Sequence, residues 1–184
     1  MEAEELLRLY AAGERDFVGV DLSVTDLTGA DLSGINLTTA DLDSSELSGA
    51  NLSGANLRGT LLYYANLEGA NLSNANLSGA KASSANLEGA NLEGANLAGA
   101  AFSEANLSAA NLSGANLSGV YLHQAGLSSA NLSNTNLSGA ELFNANLSNA
   151  NLTGARNADF LNAQVSNTIM PDGSIANGTK IWSS

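Results

Sequence analysis

The chain has 184 residues, a net charge of −12 at pH 7 and no cysteine. These totals exclude disulfides and thiolate chemistry, and they argue against direct binding of nucleic acid, whose phosphates are met by Lys and Arg. Eleven of the eighteen acidic residues lie in residues 1–46, which we interpret as solubilising charge at one end. The acidic N-terminus has no long apolar run, so we expect no signal peptide, no membrane span and a cytoplasmic protein.

The first predicted element is a short amphipathic helix over residues 2–12. Four apolar residues lie close to one helical stripe: Leu6, Leu7, Leu9 and Tyr10. Gly13 is a natural stop for this helix. Because so short a helix is marginal alone, we expect it to pack on the open end of the element that follows.

A five-residue repeat dominates the chain from Phe17 to Leu152. Stepping by five from Phe17 gives leucine at every central position except Ala82 and Phe102. The residue two before each centre is mostly Ala, the residue before it mostly Asn or Asp, the residue after it mostly Ser, and the next mostly Gly. A period of five fits neither an α-helix nor a flat strand. It fits a chain that turns a corner every five residues, so that four corners close a square coil of twenty residues.

This motif, cleanest in residues 90–99, resembles the pentapeptide-repeat family over about 140 residues. The resemblance implies an all-β fold, a right-handed quadrilateral parallel β-helix of about seven coils, here with a short N-terminal α-helix. It also implies that the centre and the residue two before it point inward. One buried leucine contributes about 1.5–3 kcal/mol, whereas ordering five residues costs about 5–10 kcal/mol. Stability must therefore come from stacked coils.

After Ala155 the register of the repeat shifts by three residues. Asn157 stands where a leucine is due, and the motif resumes with centres at Phe160, Val165 and Met170. Residues 167–173 resemble the endings of cyanobacterial members of the family.

The sequence thus predicts three segments: a capping helix at 1–13, the repeat helix at 14–155, and a shifted coil and cap at 156–184. The last segment carries Ile175, Ile181 and Trp182. A cap there would cover strand edges that otherwise invite association, so we expect a monomer rather than an end-to-end dimer.

Departures from the repeat concentrate on one of the four sides. Residues on one side differ by twenty, and both unusual centres, Ala82 and Phe102, fall on the side that runs from Leu22 to Leu142. They are neighbours in one inward column, where the Phe102 ring is expected to fill the space that Ala82 leaves. The outward residues predicted to form a partner-binding face are Leu61, Tyr63, Tyr64, Lys81, Tyr121, His123, Gln124 and Phe143.

This face is interpreted as a shallow trough with aromatic walls, because small residues, Ser83 and Ser103, separate the tyrosine coil from the histidine coil. Exposed aromatic side chains on an otherwise small and polar surface are typical of protein-binding patches. The alternative is that this side merely tolerates irregularity and its aromatic rings lie flat over coil corners.

No catalytic, cofactor-binding or metal site is predicted. His123 is the only histidine, and Glu68, Glu88 and Glu93 lack a cleft or a base partner, so we interpret them as a solvated ladder. We therefore expect a non-enzymatic interaction protein with an unidentified protein partner, no cofactor, no direct nucleic-acid binding and no membrane contact. The resemblance also implies an alternative, a DNA mimic that binds a type II topoisomerase (gyrase). The N-terminal clustering of acids and the leucine-rich centres disfavour it.

Overall fold

The computed structural model describes residues 1–180, so Ile181 and Trp182 of the expected cap lie outside the described residues. Helix α1 spans Ala3–Ala11, strand β1 spans Ala163–Ile169 and strand β2 spans Ile175–Lys180. Between α1 and β1, short parallel bridges join each residue that precedes a centre to the residue twenty positions on, from Asp16–Asn36 to Asn136–Arg156. The predicted right-handed quadrilateral β-helix is confirmed.

The β-helix has four faces, which we number by their centres. Face 1 runs from Leu22 to Leu142, face 2 from Leu27 to Leu147, face 3 from Leu32 to Leu152 and face 4 from Phe17 to Leu137. Successive coils are joined by backbone hydrogen bonds, as where the Leu52 N–H donates to the Asn71 carbonyl at 2.7 Å.

Each corner turns because the residue two after the centre adopts a left-handed conformation. At Gly54, for example, φ is +65°, and the N–H of the following residue, Ala55, closes the turn on the Leu52 carbonyl at 3.0 Å. Residues with a side chain meet a steric cost in this conformation, which is why glycine recurs there.

The core consists of the residues that the repeat predicts to point inward. Every centre from Phe17 to Leu152 is at most 2% exposed, and the small residues two before each centre are buried from Ile35 onward. Three of those small residues carry hydroxyls: Ser45, Thr60 and Thr135. Each hydroxyl donates to a backbone carbonyl at 2.7–2.9 Å, so no polar group is left unsatisfied by this burial.

Asparagine ladders run along faces 2, 3 and 4. On face 3 the side-chain amide of Asn71 donates to the Asn51 carbonyl oxygen at 3.1 Å, and Asn51 donates to Asp31 at 2.8 Å. All the ladders donate in one direction, so each needs a final acceptor, and a carboxylate accepts without donating. On face 2 Glu46 accepts in the same way from Asn66, and on face 4 Asp16 accepts from Asn36. Three acids of the N-terminal cluster therefore have a structural role that the composition did not show.

Helix α1 packs on the first coil, as expected. Leu6 is fully buried, and Leu9 and Tyr10 are partly buried against the core. The Tyr10 hydroxyl donates to the Ser33 carbonyl at 2.8 Å. The assignment of Leu7 to the buried stripe was wrong: this side chain is exposed because it lies on the solvent side of a helix that rests on one stripe only.

The C-terminal coil is two residues shorter than the others. Asn146 pairs with Gln164 and Asn151 with Ile169, each eighteen positions on instead of twenty. A coil shortened by two leaves the five-residue register shifted by three, which accounts for the shift in the sequence. The shifted centres Phe160, Val165 and Met170 are buried. Strand β1 thus covers the last coil on faces 2 and 3, and β2 pairs antiparallel with β1, with Lys180 opposite Ala163.

Candidate partner-binding face

Face 1 presents three outward columns to solvent: the residues before the centres, the residues after them, and the corner residues. The eight predicted site residues all lie in these columns and none belongs to the buried core. Tyr64, Tyr121 and Phe143 are 70%, 45% and 48% exposed. Lys81 and Gln124 are exposed, whereas Leu61, Tyr63 and His123 are half-buried.

Face 1 has no asparagine ladder. The column that carries asparagine on the other faces reads here Asp21, Asp41, Leu61, Lys81, Ala101, Tyr121 and Glu141, joined coil to coil by backbone bridges. Face 1 therefore has the backbone bridges between coils but lacks the side-chain amide hydrogen bonds that run along faces 2, 3 and 4.

The corner column of face 1 contains no glycine. Glycine fills four of seven corners on face 2, five on face 3 and six on face 4. On face 1 all seven corners bear a side chain, with φ between +56° and +62°: Val24, Ser44, Tyr64, Ser84, Glu104, Gln124 and Asn144. A bulky or β-branched residue is a clear outlier in this conformation. Of these seven corner residues, only Tyr64 and Gln124 were predicted to belong to the partner-binding face. The absence of glycine from the column is visible in the sequence itself.

Among the corners whose N–H donates to the next coil, Tyr64 has the longest hydrogen bond. Its N–H lies 3.4 Å from the Ser83 carbonyl oxygen, whereas the corresponding bond at Gly59 is 3.0 Å and that at Gln124 is 2.9 Å. Backbone strain of this kind persists only where the surrounding structure holds it, and it is often associated with functional sites.

Three aromatic rings meet in the C-terminal half of face 1. The ring of His123 lies edge-on to Tyr121 at 6.4 Å between centroids and to Phe143 at 6.3 Å. His123 Nε2 lies 2.6 Å from Glu141 Oε2. Tyr63 and Tyr64 lie three coils away, about 14 Å at the usual strand spacing. The structure therefore brings the predicted aromatic residues together as two groups.

A pocket of about 170 Å³ opens at the C-terminal end of face 1, beyond the predicted trough. We call it the end pocket, and its lining residues are His123, Ala140, Glu141, Leu142, Phe143, Asp159 and Leu161. Glu141, Asp159 and Leu161 were not among the site residues predicted from the sequence. The register shift at Asn157 could have indicated Asp159 and Leu161, because it occurs just before the chain returns to face 1.

The end pocket exists because the shortened coil does not pair with face 1. One coil earlier the Leu122 and Gln124 N–H groups donate to carbonyls of the next coil, each at 2.9 Å. Within residues 1–180 the equivalent N–H groups of Leu142 and Asn144 have no acceptor, and no bridge joins Glu141 to Asp159. No residue of the described part of the chain thus pairs with the edge of the last coil on this face.

The N-terminal part of face 1 carries carboxylates in two different environments. Burial raises the pKa of Asp43, although its carboxylate accepts the Tyr63 N–H at 3.0 Å, and the nearby Asp41 raises it further. The Ser23 hydroxyl and N–H both donate to Asp21 and lower the pKa of that carboxyl. The Asp43 charge is thus less favourable in the folded state than the Asp21 charge.

Residues 1–180 contain no cluster of His, Asp or Glu arranged to hold a metal ion. In the same part of the chain no helix has both the length and the apolar character needed to cross a membrane.

The pentapeptide-repeat family model matches the chain in eight copies within residues 15–156. HetL of Nostoc sp. strain PCC 7120, a pentapeptide repeat protein involved in heterocyst differentiation regulation, is 33% identical. The match covers 96% of this chain and all of HetL, with a TM-score of 0.71. A thylakoid-lumen pentapeptide repeat protein of Arabidopsis thaliana is 40% identical over 54% of this chain and 69% of its own, with a TM-score of 0.53.

QnrB1, a plasmid-mediated fluoroquinolone resistance protein, is 18% identical over 90% of this chain and 93% of its own, with a TM-score of 0.59. At this identity the likeness concerns the fold alone. Comparison with curated protein sequences gives no match. Because the family model matches well over half of the residues, this chain belongs to the pentapeptide-repeat family.

Proposed function

We propose that this protein is a non-enzymatic interaction protein that presents face 1 to a protein partner. One observation carries the proposal: of the four faces, face 1 alone lacks both the asparagine ladder and the glycine corners. Those two features favour a regular coil, and the face that omits them bears exposed aromatic side chains instead.

The aromatic residues suit a binding role because they already protrude from a rigid support. Tyr64 and Tyr121 hold large exposed rings on coils that are hydrogen-bonded to both neighbouring coils, and Phe143 holds one on a coil that is bonded to the preceding coil. Aromatic side chains dominate the energetics of many protein interfaces, and rigid presentation lowers the entropy lost on binding. A partner that spans several coils would contact both aromatic groups.

We further propose that the protein acts in the cytoplasm as a monomer built from the three predicted segments. The packing of α1 on the first coil and of β1 on the last coil supports this, because both ends of the β-helix are partly covered. The relative HetL is involved in regulation by its description, a role that needs contacts with other molecules.

The alternative, a DNA mimic that binds gyrase, has weaker support. The likeness to QnrB1 and the net charge of −12 favour it. However, the carboxylates of Asp16, Asp31 and Glu46 accept from asparagine side chains at the N-terminal end of the β-helix. This part of the negative charge is therefore not distributed along the β-helix as the phosphates are along DNA. Inhibition of gyrase supercoiling by the protein would revive this alternative.

The test is affinity capture from native cell extract with three versions of the full chain. They are wild type, the triple variant Tyr63→Ala, Tyr121→Ala and Phe143→Ala, and a control with Ser53→Ala, Ser73→Ala and Ser113→Ala. The control changes the residues directly after three centres of face 3, the repeat position that Tyr63 and Phe143 hold on face 1. We expect a partner that wild type and the control retain and that the face 1 variant loses while remaining folded. Equal capture by all three proteins would refute the proposal.

A further inference from the structure

We infer that the end pocket binds the side chain of an arginine on an extended segment of the protein partner. The inference rests on the proposed function and names the chemistry of one contact within it. It follows from the charge, the walls and the open edge of this pocket.

The end pocket carries two carboxylates, and no Lys or Arg of residues 1–178 forms an ion pair with either of them. Glu141 uses Oε2 for His123, and Asp159 uses Oδ1 to accept the Leu161 N–H at 3.0 Å. The second oxygen of each carboxylate accepts no hydrogen bond from a side chain of residues 1–178. A guanidinium presents several N–H donors in a planar fork and can bond two carboxylates at once, which favours arginine over lysine here.

The walls of the pocket suit the rest of an arginine side chain. Ala140 and Leu142 are buried, whereas Phe143 and Leu161 expose apolar surface beside the carboxylates. A methylene stem packs on such surface while its charged end stays near the acids. A guanidinium placed over the face of the Phe143 ring would also be attracted by a cation–π interaction.

The size of the pocket distinguishes a single side chain from a larger ligand. Sites for drug-sized molecules usually enclose about 300–1,000 Å³. The end pocket has about 170 Å³, which is room for one side chain. The occupant is therefore expected to belong to a larger molecule whose remaining contacts lie along face 1.

The open edge gives that molecule a backbone contact. The N–H groups of Leu142 and Asn144 lack acceptors within the described residues, and they lie on the last coil beside the pocket. Carbonyls of an extended segment can accept from them, as when a peptide adds a strand to a sheet edge. A peptide with arginine in its middle combines both interactions.

The test titrates the full-length, ¹⁵N-labelled protein with the peptide acetyl-Ala-Arg-Ala-amide and follows backbone amide resonances. Saturable shifts are expected at Leu142, Asn144 and Leu161. A peptide with citrulline in place of arginine keeps the shape without the charge, and it should bind at least about 10-fold more weakly, a difference of the size expected for a charge-assisted contact.

Variants identify the carboxylates that are responsible. The pair Glu141→Gln and Asp159→Asn should weaken binding at least about 10-fold. The pair Glu68→Gln and Glu88→Gln changes two stacked surface carboxylates on face 2, which accept from Asn86 and Asn106, and should leave affinity within about 2-fold.

Four results would overturn the inference. They are the absence of saturable shifts at these amides, equal affinity for the citrulline peptide, equal affinity for methylguanidinium alone, and binding that requires removal of residues 181–184. The last would mean that the chain's own C-terminus occupies the pocket. Because the titration needs no native partner, a failure here together with face 1-dependent capture would remove the pocket contact and leave the proposed function standing.

Discussion

Replacing Tyr64 by glycine is expected to stabilise the protein. Tyr64 holds φ at +58°, is 70% exposed and has a stretched corner hydrogen bond of 3.4 Å. A left-handed residue with a side chain costs about 1–2 kcal/mol relative to a relaxed backbone. Glycine removes that cost but adds about 0.5–1 kcal/mol of unfolded-state entropy. The free energy of unfolding of Tyr64→Gly should therefore rise by about 0.5–1 kcal/mol, a Tm increase of about 1–4 °C for a chain of this size.

The adjacent Tyr63 provides the matched control. Its side chain is half-buried and its φ is not positive, so Tyr63→Gly loses packing and relieves no strain. We expect a loss of about 1 kcal/mol for this variant. Far-UV circular dichroism during thermal and urea unfolding measures both changes. Destabilisation of Tyr64→Gly equal to that of Tyr63→Gly would refute the claim that face 1 maintains strained corners.

Three further perturbations test the fold. Phe102 is fully buried next to Ala82, so Phe102→Ala should lower the free energy of unfolding by about 3–5 kcal/mol in urea titrations; a loss below about 1 kcal/mol would contradict the volume argument. Asn91→Ala breaks one asparagine ladder and should cost about 1–3 kcal/mol by the same assay, whereas the face 1 equivalent Lys81→Ala should cost below about 0.5 kcal/mol. The pKa of Asp43 is raised in the folded state, so its charge opposes folding above that pKa. Asp43→Asn should therefore stabilise the protein at pH 7 and have a diminishing effect as acid protonates the wild-type carboxyl. A gain that persists unchanged at pH 3 would show that charge is not the cause.

The sequence predicted the regular part of this protein because one strict period encodes one local geometry. A leucine every fifth residue requires a corner every fifth residue, and the burial of every centre from Phe17 to Leu152 follows. The N-terminal helix and the shifted C-terminal register were also predictable, because the five-residue repeat is absent before Arg15 and changes register after Ala155. Leu7 was misplaced because a stripe of four apolar residues on a nine-residue helix does not show which edge of it meets the core.

The candidate site was only partly predictable. Its aromatic residues stand out as departures from the repeat, but the end pocket depends on how a coil of eighteen residues stacks on one of twenty. Because of that mismatch, Asp159 and Leu161 do not pair with the edge at Leu142. The register shift at Asn157 is visible in the sequence, but it does not show that a pocket forms there. The role of Asp31 as a ladder acceptor was not predictable for a similar reason, since it appears only when coils are stacked.

Steric interference on each face in turn tests the central claim most directly. Within residues 101–120, one full coil, a half-buried serine lies directly after the centre on all four faces. This gives a matched set of single variants: Ser103→Arg, Ser108→Arg, Ser113→Arg and Ser118→Arg. Each folded variant is used to capture the partner from native cell extract. The account predicts that Ser103→Arg on face 1 loses the partner and that the other three retain it. Capture that survives Ser103→Arg, or that is lost only through a change on another face, would contradict it.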